Sequence, residues 1–400
     1  MGRAGRHTRR MTLPRAVLSL LVGLLLVGGL AGGAQGWEIE REWQKEIAPG
    51  VTYRLIRYRL DTGLAAVHVI TIDPYSNYEI RPVLPAGGLG SLEPVGKMAE
   101  RAGAIAAING TFFDPTQSKL PVGFLRIDYR TVFGQHLDRA LLGIDPFGGV
   151  HFERTLPQIT LYFEEAEREL RVSRINYRRG WGDVVAYTRD FGPRTGTNRW
   201  GFELILSPAP TREPRGRNGS LSHYVVSGVA AGNAPIPEDG LVISVHMSRE
   251  KELGWLRELR LGTEVTVETN LPKGWDTFPH VIGAGPLLLS AGKIVLDPRR
   301  ENFHWRMNLP HARTAVARTA RGKILMVVVS QDPGRELRGV TWWQLALLLR
   351  DSLGAVDALG LDGGSSSTMW IKGEYVNPLG GVRPRRVANA LVVVPREYPF

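Results

Sequence analysis

The 400-residue chain contains no cysteine. That absence excludes disulfide scaffolds, thiolate zinc sites, iron–sulfur clusters and thiol nucleophiles. Other familiar signatures are missing too: there is no G-x-S-x-G elbow, no phosphate-binding P-loop and no H-E-x-x-H pair. The nine histidines have no metal-ligand spacing, which leaves calcium on oxygen ligands as the one open metal chemistry, and no cofactor is expected. Lysine is scarce, with 8 against 42 arginines, so the formal charge of +11 is almost entirely guanidinium. Glycine and proline, in contrast, are plentiful at 47 and 26. Such a chain is no helical bundle; it has many strands and turns.

The charge is unevenly placed. Arg3, Arg6, Arg9, Arg10 and Arg15 precede an apolar run from Ala16 to Leu30 and the small residues Ala31 to Gly36, with no acid in between. This is the three-part pattern of a secretory signal, so residues 1–36 are expected to direct export to the cell envelope or medium, with an uncleaved anchor as the other reading. Any membrane contact is expected through that segment alone. Its removal leaves a net charge of +6 on the mature chain, and an exported chain without a recognised motif is not expected to bind nucleic acid.

Residues 37–50 are expected to be a linker and 51–400 a single domain. VTYRLIRYRL, Asp61-Thr62-Gly63 and LAAVHVITI form the pattern of a β-hairpin. A short helix is expected from Ser91 to Gly103, followed by a buried strand, Ala104–Ile108, that delivers Asn109 through Asp114. The region from about 150 to 240 is less regular and rich in arginine, including Arg168, Arg171 and Arg174, which is expected to be a solvated face. Another helix is expected near Ser248. In the last third, KILMVVVS is a buried strand, Thr341-Trp-Trp-Gln344 a capping box opening a helix to Gly354, and VDALGL a strand ending at Asp362-Gly-Gly-Ser-Ser-Ser. The fold class expected is α+β, a mixed and largely antiparallel sheet core with a few packed helices.

Three places offer chemistry. The glycines after Asp362 permit an inward-facing set of backbone N–H groups, an anion site to which the serines add hydroxyls; an ordinary Asp-Gly turn is the alternative. His311-Ala-Arg313-Thr314 offers an arginine suited to forked phosphate binding, and Arg383, Arg385 and Arg386 form a second basic group. Asn109 and Asp114 flank a turn that they either cap or open to a ligand.

AINGTFFD at 107–114, GAGPLLLSAG at 283–292, HARTAVA at 311–317 and ALGLDGGSSSTMWIKGEYVN at 358–377 together resemble the phosphodiester glycosidase family. The resemblance implies hydrolysis of a sugar joined through its anomeric carbon to a phosphodiester. It places Asp362 as base or nucleophile, Arg313 as phosphate clamp and Asn109 on a sugar hydroxyl. Asp114 would support the turn, Gly363, Gly364 and Ser365 would line the anion site, and Arg383 would make a second phosphate contact. The implied partner is a glycosyl phosphodiester or anionic polysaccharide; the competing expectation is a non-catalytic protein that binds anionic envelope or exopolysaccharide polymers. Two positions depart from the family pattern. Ser330-Gln331-Asp332-Pro333-Gly334-Arg335 stands where an aspartate-glycine-arginine run is common, and Gly360 where asparagine is common.

Overall fold

A computed structural model describes residues 37–60, 63–210, 221–332, 334, 336–377 and 383–397. The expected export signal, the turn residues Asp61 and Thr62, most of the Pro/Arg/Gly loop (211–220), Pro333 and Arg335 lie outside the described residues. No helix among the described residues is long and apolar enough to cross a membrane.

The molecule is β-rich, and nearly all of its ladders are antiparallel. Helices contribute little: among the described residues the α-helices are Val95–Arg101, Glu250–Leu253 and Trp342–Leu347. The expectation of an α+β fold with packed helices is therefore too generous to the helices.

One sheet runs in the order Glu38–Ala48, Val51–Leu60, Gly63–Ile72, Ile324–Val329, Arg313–Thr319, Ala355–Gly360, Leu287–Ser290 and Lys293–Ile294. The hairpin read from the sequence is its second and third strands, in register from Val51–Ile72 to Leu60–Gly63. Residues 37–50 are not a linker. Glu38–Ala48 pairs along Val51–Leu60, and its exposed face made it read as a connection.

The central strands of this sheet are buried on both faces, which explains their unbroken apolar runs. Ile70, Ile72, Val316, Met326, Val328 and Leu359 face one core; Val67, Val69, Ala315, Leu325 and Val327 face another. The second core is covered by the helix Trp342–Leu347, whose start is the expected capping box: Thr341 Oγ1 accepts from Gln344 N at 3.1 Å and Gln344 Oε1 from Thr341 N at 2.9 Å. The first core is closed by a smaller sheet ordered Glu374–Tyr375, Met369–Ile371, Ala106–Asn109, Ala390–Pro395 and Tyr78–Val83, which contributes Ile80, Ile108, Met369 and Leu391.

The stretch from 150 to 240 is a correction. It is regular, supplying strands such as Gln158–Phe163, Arg168–Val172, Val184–Tyr187 and Gly201–Pro208 to a large antiparallel sheet around its own core. Within Arg168–Val172, Leu170 and Val172 point inward while Glu169 and Arg171 are exposed, a period of two that the arginine content disguised. The solvated face expected of Arg168 and Arg171 is correct for that outer side. Near Ser248 the helix is only the fragments Met247–Arg249, Glu250–Leu253 and Gly254–Glu258.

Candidate active site

The two smaller sheets meet at the carboxyl ends of Ala106–Asn109 and Ala355–Gly360. Asn109 is fully buried. Its Nδ2 donates to Asp362 O at 2.7 Å, and Asp362 N donates to Gly110 O at 3.2 Å, so the Asp362 backbone is held from both sides. Asn109 Oδ1 accepts from Thr314 Oγ1 at 2.8 Å and Thr368 N at 3.1 Å, and Leu361 N donates to Thr314 O at 2.8 Å. The Asn109 amide is thus occupied within the protein. It places Asp362 rather than presenting a free group to a sugar.

Gly110 is there because of a close approach: a Cβ would fall 1.8 Å from Asn389 Oδ1, which instead accepts from Thr111 N at 2.9 Å. Asn389 is a member of the seam that the sequence did not single out. Asn377 is another, its Oδ1 accepting from Met369 N at 2.6 Å and its Nδ2 donating to Ser367 O at 3.0 Å. An asparagine beside a strand end was the available signal in both cases.

The loop after Asp362 differs from the expected nest. Gly363 N donates to Asp362 Oδ1 at 2.9 Å, Gly364 N to Ala312 O at 2.8 Å, Ser366 N to Gly363 O and Ser367 N to Gly364 O. Three of these N–H groups are spent on the loop itself and the fourth on the neighbouring Ala312 carbonyl. What the loop presents is the Asp362 carboxylate, whose pKa burial raises to about 6, with the Ser366 hydroxyl, the charge of Arg385 and the Gly363 N–H pulling the other way. Gly364 sits at φ +60°, a left-handed turn that glycine adopts without strain.

Arg313 is 2% exposed. Its Nε donates to Val340 O at 3.0 Å and its Nη2 to Met307 O and Leu309 O, both at 2.6 Å, while the guanidinium lies 4.1 Å from the centre of the Trp342 ring. Burial alone moves its pKa, down to about 9; no carboxylate raises it. Its Nη1 points toward the loop, 3.8 Å from where a Cβ on Gly363 would stand. A buried cation neutralised only by carbonyl dipoles is costly, and an anion at that edge would relieve it.

The second basic group is represented by a different residue from the one expected. Arg383 lies exposed. Arg385 donates from Nη1 to Ser365 Oγ at 2.5 Å, rests 5.5 Å from the Phe113 ring and acts electrostatically on Asp362. Asp114 is a turn cap: Oδ1 accepts from Thr116 N and Gln117 N, Oδ2 from Ser118 N, and these bonds hold its pKa far below the carboxylate range. Among the described residues, no three histidine, aspartate or glutamate side chains converge to hold a metal ion.

The departure at Gly360 has a packing reason. A Cβ there would come within 2.5 Å of the Trp342 ring, the same ring on which Arg313 rests.

Residues 218–394 match the sequence profile of the family described as phosphodiester glycosidase. Over that stretch the chain resembles the phosphodiester glycosidases. The matched stretch holds Arg313, Asp362 to Ser365 and Arg385, while Asn109 and Asp114 precede it. Among solved structures, a hypothetical protein from Synechocystis is similar with a TM-score of 0.73 and 25% identity, covering 88% of this chain and 63% of that one. A presumed exported protein from Burkholderia pseudomallei is similar with a TM-score of 0.68 and 20% identity, over 92% of this chain and 99% of the other; at that identity the likeness is one of fold. A prophage-derived uncharacterized protein of Bacillus subtilis is 32% identical over 95 residues, 23% of this chain and 14% of that protein. The chain thus spans less than two thirds of the length of two of these three.

Proposed function

We propose that this protein is an exported hydrolase that cleaves the bond between a sugar's anomeric carbon and a phosphodiester. The observation that carries this reading is one loop with two complementary demands. Asp362 is a carboxylate raised to about 6, and beside the same loop stands Arg313, a buried guanidinium that no carboxylate balances. At pH 7 a carboxyl of that pKa is about nine-tenths ionised and still basic enough to take a proton from an attacking water. The water oxygen bonds to the anomeric carbon, the bond from that carbon to the phosphate oxygen breaks, and the proton passes to Asp362. The leaving group is a phosphomonoester, which departs without a strong general acid. Arg313 Nη1 and Arg385 receive the phosphate charge, Gly363 and Gly364 let it approach, and Ser365 sets Arg385 in place. Asn109 is a positioning residue that fixes Asp362. The substrate expected is a glycosyl phosphodiester, free or within an anionic polysaccharide.

The test is release of reducing sugar from a panel of sugar-1-phosphate diesters that varies both sugar and alcohol. Turnover by the native chain, abolished in Asp362→Asn with the fold intact, is the expected result. Binding without turnover by the native chain, or turnover retained in Asp362→Asn, would defeat the proposal and favour a protein that only binds anionic polymers.

A further inference from the structure

A cavity of about 850 Å³ shares no lining residue with the Asp362 loop. It opens within the large sheet. Its size is in the range of about 300–1,000 Å³ usual for small-molecule sites. Its floor is aliphatic: Ile159, Ile175, Ala186, Leu241 and Val267 come from five different strands. Its rim is polar, with Asp128, Tyr129, Arg130, Asp190 and Glu238 at the mouth.

The rim's charges settle the sign of what fits. Arg130 Nη1 is 2.8 Å from Asp190 Oδ1 and Arg189 Nε is 3.2 Å from Glu238 Oε2, so each cation already has its carboxylate. Asp128, whose carboxylate is solvent-facing, adds negative charge. Among the described residues, a phosphate or carboxylate entering would meet Asp128 and cations already paired with carboxylates, the opposite of the surroundings of Arg313. The carboxylates do accept hydroxyl donors well, and the ring of Tyr129, 42% exposed at the rim, offers a flat face to a sugar. Tyr129 is held with φ +64°, its N–H donated to Pro279 O at 2.9 Å. On the inner side, Asn176 fixes the wall through Nδ2 to Thr188 Oγ1 at 2.7 Å and Oδ1 from Thr188 N at 2.8 Å, so the cavity is preformed.

We infer that this cavity is a second binding site, for an uncharged amphiphile whose apolar body lies on the aliphatic floor and whose hydroxyl-bearing head meets the carboxylate and tyrosine rim. The inference goes beyond the proposed hydrolysis and does not depend on it. Octyl glucoside below its micelle concentration is the probe, titrated calorimetrically into the chain, with glucose and octanoate as comparisons. Octyl glucoside is expected to bind at least tenfold more tightly than either, since one lacks the apolar body and the other carries the wrong charge. Thr269→Trp, which fills the cavity, and Tyr129→Ala, on an exposed turn, are each expected to weaken it about tenfold. Asp362→Asn is expected to leave it unchanged. Octanoate binding as tightly as octyl glucoside would overturn the assigned class. So would binding insensitive to both cavity variants, and binding lost with Asp362→Asn would move the ligand to the other site.

Discussion

Replacing Asp362 by asparagine is expected to stabilise the protein above pH 6 while removing its activity. The side chain keeps its shape, and the amide oxygen can still accept from Gly363 N–H, the bond that measures 2.9 Å with the carboxylate. What changes is the charge. The folded-state pKa is raised from 3.8 to about 6, so the folded protein holds the proton more tightly than the unfolded chain does. The stabilising contribution of the neutral acid is therefore complete below pH 3.8 and is lost as pH rises through 6. A shift of that size corresponds to about 3 kcal/mol, of which about half is lost between pH 5 and pH 7.5. Asparagine does not titrate and loses nothing. Urea denaturation of both proteins at pH 5 and pH 7.5 should show the variant's advantage growing by about half of that amount across that interval. An advantage that stays flat with pH, or a variant less stable than the native chain at pH 7.5, would refute the claim that burial raises Asp362.

Three other outcomes follow from the same geometry. Arg385→Ala removes a charge that favours ionised Asp362, so the acid limb of the pH–rate profile for sugar release should move to higher pH by about half a unit, while Arg383→Ala should leave it in place. Asn109→Ala strips partners from Asp362 O and Thr368 N, while Thr314 Oγ1 keeps Ser367 Oγ at 3.1 Å, and should lower unfolding free energy by about 2–6 kcal/mol in denaturant titration, at about 1–3 kcal/mol for each of the two buried groups left unpaired. Gly360→Asn, which introduces the residue common in the family, should cost about 1–3 kcal/mol by overpacking against Trp342, and Trp342→Leu should recover part of that loss, read as non-additivity in a double-mutant cycle.

The sequence carried the site's position better than its wiring. Asn109, Arg313 and Asp362 stand at ends of core strands whose apolar runs were plain to read, so their meeting at one seam was foreseeable. Their bonding was not. Whether Asn109 offers its amide or spends it depends on Thr314 and Thr368, more than 200 residues away, and local pattern has no access to such pairings. The choice between Arg383 and Arg385 likewise rests on which one reaches Ser365 across a turn. Asp114 was legible as a cap because its partners lie within four residues. The region from 150 to 240 was misread for the opposite reason: its alternation is local, but charged outward positions outweighed it. Glu38–Ala48 failed because it is an edge strand exposed along nearly its whole length, which leaves little hydrophobic signal.

The strand that carries Asn109 sits between Met369–Ile371 and Ala390–Pro395, so both of its ladders are made with chain that emerges some 260 to 290 residues later. Before those last strands arrive, Asn109 has no Asp362 to hold, and the carboxylate has no buried surroundings to lift its pKa. The proposed chemistry therefore requires that the two extremes of the domain have closed on each other, and an amino-terminal fragment ending before Ala390 lacks the assembled site. During synthesis the polypeptide carries these residues without the assembled site, and a protease nick that lets the terminal strand leave would dismantle it without touching any residue in it.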